Sequence, residues 1–157
     1  MEADVRAATL RDIHPLVELS ALLYADDAGR YDSRMDINWP RHAGEGYFTQ
    51  AIEAKDATCF LATVGTLPVG YALCRMNRPV RARLCRVADL ESLYVRAGHR
   101  SVGYGARLVD AFLGWARERG ADAASVTAFA ENDGADRFYR RAGFVPRTVV
   151  MEVRLDG

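Results

Sequence analysis

The stretch that most constrains the fold runs from Ala88 to Ala106, A-D-L-E-S-L-Y-V-R-A-G-H-R-S-V-G-Y-G-A. It has three parts. A strand-like run ends in Leu93-Tyr94-Val95, a turn follows with Gly98, and a glycine-spaced loop from Arg100 to Gly105 opens directly into a helix. A strand that feeds a glycine loop and then a helix start aims free first-turn N–H groups, and the positive end of the helix dipole, at an anion. Glycine lets a ligand approach the backbone with no Cβ in the way. Arg100 adds a cation, so the loop predicts a phosphate or pyrophosphate guest. The helix beyond it carries Leu108, Val109, Phe112, Leu113 and Ala116 on one apolar stripe and stops at Gly120.

A Gly-x-Gly pair alone is usually a turn. The dinucleotide fingerprint needs G-x-G-x-x-G in a βαβ unit with an acid about 20 residues on; here the hexad is R-x-x-G-x-G. Downstream, Asn132 to Phe144 reads N-x-x-A-x-x-F-Y-x-R-x-G-F. The two motifs, in this order and at this distance, resemble the pyrophosphate loop and second signature of the GCN5-related N-acetyltransferase (GNAT) family. The resemblance covers residues 86–147 well and the N-terminal half in outline. It implies an α+β fold: a mixed, mostly antiparallel sheet with helices on both faces and one splayed parallel strand pair. It also implies acetyl-CoA as cosubstrate. A single acetyltransferase domain over 1–157 is expected, with an acceptor-side region over about 1–57 and an acetyl-CoA-binding core over about 84–147.

The chain of 157 residues suits one domain. Its 21 basic and 21 acidic residues cancel, so a general nucleic-acid-binding surface is not indicated. The arginines at 75, 78, 81, 83 and 86 cluster locally, and 78–83 reads as an exposed basic loop. Cys59, Cys74 and Cys85 lie in apolar contexts without a C-x-x-C pair, which predicts buried thiols in a reducing compartment. No apolar run approaches the length of a membrane span, and Met1 to Asp4 lacks the features of a signal peptide, so a cytoplasmic protein is expected. His14, His42 and His99 show no metal-ligand spacing, and no metal is expected.

Periodicity predicts a strand over Asp4–Ala8, a capping box from Thr9 to Asp12, and a helix ending near Ala25. A long polar loop over Asp26–Arg41 and a helix over Glu45–Ala54, burying Tyr47, Phe48, Ala51 and Ile52, come next. Thr58–Val64, Val69–Met76 and Leu84–Val95 read as an antiparallel meander. After the glycine loop and its helix, Ala123–Ala130 is expected as a parallel partner of the third meander strand through a right-handed crossover. A short helix over Gly134–Arg141 closed by Gly143, then strands Phe144–Arg147 and Val149–Leu155, complete the pattern.

Acetyl transfer to an amine needs a base, since an alkyl ammonium with pKa near 10.4 is not nucleophilic. It also needs donors for the oxyanion and a proton or hydrogen bond for the departing thiolate. Glu91 is the base candidate. In a regular pleat Val87, Asp89, Glu91, Leu93 and Val95 share one face, where burial would raise a carboxylate pKa. The competing reading is a salt bridge with an arginine. Asp89 is a second carboxylate of the same strand, and a bulge would change which of the two faces the cleft. Tyr139 is the general-acid candidate, against the alternative of a core aromatic pair with Phe138. The resemblance assigns the cleft to Tyr139 and implies that the backbone N–H of Val95 or Leu93 serves the oxyanion. It places the cofactor along Leu93, Tyr94, Val95, Arg100, Ser101, Val102, Gly103, Tyr104, Gly105, Ala106, Asn132 and Tyr139. Asn132 also suits a helix N-cap, and Arg141 matches a signature position that suits a helix C-terminus.

The acceptor pocket is expected from the first two helices, the Asp26–Arg41 loop and the C-terminal strands; Asp26, Tyr31 and Trp39 of that loop suit a cationic amine by charge and cation–π contact, and Asp89 is a further substrate-side candidate. A solvated loop anchored by Trp39 is the plainer reading. The functional expectation is direct transfer from acetyl-CoA to a primary amine, first of a small molecule, second of a peptide N-terminus or lysine. A non-catalytic acyl-CoA-binding module is the alternative of another class, and a dinucleotide oxidoreductase stands third. The Thr148–Leu155 segment is apolar enough to pair in a homodimer.

Overall fold

A computed structural model describes residues 3–78, 82 and 84–156. Strand β1 spans Ala3–Ala7. The capping box forms as expected: the Thr9 side chain accepts from the Arg11 N–H, and the Asp12 carboxylate accepts from the Thr9 N–H at 2.8 Å. Arg6 donates twice to the same carboxylate, at 2.8 and 3.0 Å. A buried charge needs such partners, and these tie β1 to the start of α1 (Ile13–Leu23).

Helix α1 does not simply give way to a loop. It continues as a π-helical turn over Tyr24–Ala28 and a short helical segment, α2 (Gly29–Tyr31). Helix α3 starts at Trp39, earlier than the spacing predicts, and runs to Glu53. Pro40 explains this. Its missing N–H costs nothing in a first helical turn, so here proline marks a start rather than a break.

Strands β2 (Ala57–Val64), β3 (Leu67–Met76) and β4 (Val87–Val95) form the antiparallel meander, and β1 pairs antiparallel with β2. The expected start of β4 at Leu84 is too early. The basic connection expected over 78–83 falls largely outside the described residues. Helix α4 (Tyr104–Glu118) returns the chain to β5 (Ala123–Val126), parallel to β4. Gly120, at φ +78°, supplies the left-handed turn between them. The sheet order is β1-β2-β3-β4-β5, and α5 (Asp133–Arg141) follows. This mixed open sheet with helices on both faces is the expected fold class.

Two cores flank the sheet. Leu108, Val109, Phe112 and Trp115 of α4 pack on Ala72, Cys74, Ala88, Leu90 and Val95. Leu16 and Leu19 of α1 and Phe48 and Ala51 of α3 pack on Cys59, Leu61, Tyr71, Leu73 and Tyr94.

Three expectations need correction. Leu73 faces Ser92 and Cys74 faces Leu90, so Glu91 sits in a bulge. The bulge breaks the pleat: Leu90 and Val95 both face α4, so Glu91 does not share a face with Leu93 and Val95. Strand β5 ends at Val126, not Ala130. Residues 144–156 form no strand, because no sheet edge lies against them to pair their backbone.

Candidate active site

The parallel ladder between β4 and β5 runs from Val87↔Ala123 only as far as Leu90↔Val126. Beyond it Glu91–Val95 has no partner on the β5 side, and the two strands part. This opening leads to the glycine loop. Ser101 adopts φ +64° and Gly103 φ +96°. A serine in that region is strained, as residues at functional sites often are. Together the two left-handed residues turn the chain so that α4 begins at Tyr104, and no side chain caps its N-terminus. Its first-turn N–H groups are therefore donors for a ligand. Gly105 matters for a different reason: a Cβ there would meet the Phe138 ring at 3.0 Å, so the glycine lets α5 dock closely on α4 without the ring giving way.

Arg100 is more committed than a cation waiting at the mouth. Its Nε donates to the Val95 carbonyl at 2.8 Å, its guanidinium lies 5.2 Å over the Tyr94 ring, and it approaches Asp26 at 3.6 Å. The Tyr94 hydroxyl donates to Asp26 at 2.8 Å. Asp26 thus ties Tyr94 and Arg100 together at the strand–loop junction.

Its neighbour Asp27 reaches the other side of the opening. Asn132 holds the N-cap of α5, accepting from the Ala135 N–H at 3.0 Å, and donates from Nδ2 to Asp27 at 3.0 Å. Burial pushes the Asp27 carboxyl up, partly offset by that hydrogen bond. Tyr139 packs against Phe138 and Phe144, with ring centroids 5.0 and 5.8 Å away. Burial, and then the Asp27 charge, push its phenol up to about 12, so it stays protonated and remains a donor at neutral pH.

Glu91 projects to the α1–α3 side. It accepts from the Tyr47 hydroxyl at 2.5 Å and pairs with Arg75 at 3.5 Å, while Arg75 lies 5.7 Å over the Tyr47 ring. Burial and the Glu91 carboxylate push the Tyr47 phenol up to about 12. Trp39 meets Tyr47 edge-on at 5.2 Å and stacks on Tyr24 at 5.7 Å. Glu91 therefore sits at the end of an aromatic wall.

Of the residues expected on the acceptor side, only Trp39 joins this wall. Tyr31 instead meets Phe129 at 5.6 Å, and Asp89 accepts from Ser125 on β5 at 3.0 Å. Burial raises the Asp89 carboxyl. Tyr47 and Arg75, for which the sequence predicts no chemical role, also border the opening, and so does Asp27, one of the acids at the start of the Asp26–Arg41 loop. A phenol on an otherwise apolar helix stripe needs a polar partner, and that requirement is the available signal for Tyr47. Arg75 carries no local signal. Among the described residues no group of three or more His, Cys, Asp or Glu is placed to hold a metal ion, and no helix is long and apolar enough to cross a membrane.

A model of the acetyltransferase (GNAT) family matches residues 19–144. An uncharacterized N-acetyltransferase of Methanocaldococcus jannaschii is 26% identical over 147 residues, which is 93% of this chain and 62% of the relative. The chain thus spans less than two thirds of that protein. A structure of the BH1408 protein from Bacillus halodurans superposes with a TM-score of 0.86 at 18% identity, over 97% of this chain and 99% of that one. The aminoglycoside N-acetyltransferase AAC(6')-Iy in complex with CoA gives a TM-score of 0.74 at 16% identity, over 99% of this chain and 96% of that one.

Proposed function

Since the chain belongs to the GNAT acetyltransferase family, we propose that it transfers an acetyl group directly from acetyl-CoA to a primary amine of a small molecule. The observation that carries this reading is the parting of β4 from β5 at Leu90↔Val126, immediately before an uncapped helix start. It offers backbone groups of Glu91–Val95 to the pantetheine arm and first-turn N–H groups to the pyrophosphate. The loop from Arg100 to Ala106 carries the phosphates. Leu93 to Val95 lines the arm, and Asn132, already the α5 cap, faces it from across the opening.

The amine nitrogen attacks the thioester carbonyl, the C–S bond breaks, and the electron pair leaves on sulfur. Glu91 takes the ammonium proton, directly or through water. Tyr47 and Arg75 hold its carboxylate in place. The N–H of Val95 or Leu93 stabilises the oxyanion. Tyr139 hydrogen-bonds the departing thiolate. The aromatic wall of Tyr24, Trp39 and Tyr47, with Glu91 at its end, suits a cationic amine. The neighbour that acts on aminoglycosides is similar in fold and supports a small-molecule acceptor.

One observation favours a second reading, a non-catalytic acyl-CoA-binding module: Glu91 is already paired with Arg75. Calorimetric titration with acetyl-CoA, followed by thiol-release assays on a panel of amines, separates the readings. Micromolar binding with turnover supports the enzyme. Binding without turnover on any amine supports the module. In Gly103→Glu the carboxylate would meet the pyrophosphate, and binding is lost. Gly103→Ala carries the same backbone strain without the charge and binds more weakly than wild type but measurably. Absence of binding by the wild type overturns both readings.

A further inference from the structure

Helix α5 carries Tyr139, yet none of its residues is fully buried. Across the cap and the helix the half-buried side chains are Asn132, Ala135, Phe138 and Tyr139, which recur every three or four residues along one face. So little packed surface leaves the position of the helix to a few specific contacts. One is the Phe138 ring against Gly105 of α4.

Another lies at the helix start. The Asn132 amide is used at both ends: its oxygen accepts from the Ala135 N–H at 3.0 Å, and its Nδ2 donates to Asp27 at 3.0 Å. An ionised carboxylate only accepts, so Asp27 selects the amide orientation that turns the oxygen to the cap. Asp27 comes from the π-helical turn Tyr24–Ala28, and such turns are frequent at functional sites. Its neighbour Asp26 reaches Tyr94 and Arg100 on the strand–loop side, whereas Asp27 reaches α5. Two consecutive carboxylates of one turn therefore hold both walls of the opening between β4 and β5. After burial, the Asp27 charge also helps push the Tyr139 phenol up, which puts the two groups in one neighbourhood.

We propose that Asp27 is a positioning residue for acetyl transfer: it fixes Asn132, and through it the start of α5, so that the Tyr139 hydroxyl meets the departing sulfur. The proposal rests on the acetyltransferase reading of the site. Asp27 acts through Asn132 rather than on the reacting atoms. Position matters here because a misplacement of about 1 Å can cost about 100-fold in rate.

The test is a double-mutant cycle read by steady-state kinetics, beside amide hydrogen exchange of the free protein. The proteins are the wild type, Asp27→Ala, Asp27→Asn, Tyr139→Phe and Asp27→Ala/Tyr139→Phe, assayed with acetyl-CoA and an amine from the panel that turns over. Asp27→Ala should lower kcat about tenfold and change the acetyl-CoA KM less than about twofold. Its 135–139 amides should exchange at least about tenfold faster than in the wild type. Asp27→Asn keeps an oxygen for the Asn132 amide and should recover most of the lost kcat. In the Tyr139→Phe background Asp27→Ala should lower kcat less than about twofold, since the group it positions is gone. Asn132→Asp still caps α5 but cannot donate to Asp27, and it gives the same cycle if Asp27→Ala does not fold. Additive effects of the two changes, an unaltered kcat, or α5 amides that exchange as in the wild type each overturn the proposal and leave the enzyme reading intact. A wild type without turnover on any amine overturns that reading, and the proposal falls with it.

Discussion

At the scale of single residues the site depends on side chains whose partners come from far along the chain. Tyr47 and Arg75 fix Glu91, and Asp27 joins Asn132 near Tyr139. Replacing Tyr47 by Phe removes one hydrogen bond to a carboxylate, worth about 1.5–3 kcal/mol when charged. Tyr47→Phe should therefore lower kcat/KM for the amine about tenfold and leave acetyl-CoA affinity unchanged, as steady-state kinetics beside calorimetry would show. Tyr139→Phe should lower kcat at least about tenfold with little change in the acetyl-CoA KM; an unaltered kcat removes the role. Asp12 is a structural counterpart. The Arg6 hydrogen bonds, with help from the Thr9 N–H, hold its carboxyl below the usual carboxylate range. A carboxylate with a depressed folded pKa stabilises the fold above its unfolded pKa, near 3.9, and loses that contribution as pH falls through the folded value. Asp12→Ala should cost about 1–2 kcal/mol at pH 7 by urea denaturation. The gap to wild type should narrow as pH drops below about 4.

At the scale of elements, close backbone approach decides what each piece can do. Helix α5 sits close against α4 where Gly105 leaves room for Phe138. Gly105→Val should force that ring away at a cost of about 1–3 kcal/mol. Thermal unfolding should then fall by roughly 2–4 °C for each kcal/mol, and acetyl-CoA binding should weaken because Asn132 and Tyr139 move with α5. The elements themselves were largely legible where a period repeats. The α4 stripe, the meander and the capping box are local patterns in which neighbours specify one another. The start of α3 was not, because Pro40 reads as a loop signal until its place in the first turn is seen. The bulge at Glu91 was not, because a bulge is a property of two strands in register and leaves no mark on one.

For the whole molecule, burial is the quantity that local patterns only approximate. Cys59 and Cys74 lie in opposite cores at 0% exposure, and Cys85 is half-buried. Burial pushes the Cys59 thiol up to about 12, and it pushes the Cys74 thiol higher still. Thiolate is the reactive form. At pH 8, then, Cys85 should react with a thiol reagent in the native protein, and Cys59 and Cys74 should react only at the rate of global unfolding. Equal reactivity of all three would show that the two cores open locally.

Taken alone, the sequence determined the family motifs, the glycine-spaced strand–loop–helix, the capping box and most of the sheet. Each rests on residues adjacent in the chain or repeating at a fixed period. The tertiary structure decided which face Glu91 takes, since cross-strand register creates the bulge. It decided that Asp26 serves Tyr94 and Arg100, and that Tyr47, Arg75 and Asp27 border the candidate site, since those contacts join distant segments. It also decided the fate of residues 144–156. Their pattern is that of a strand, but a strand exists only where another edge completes its hydrogen bonds.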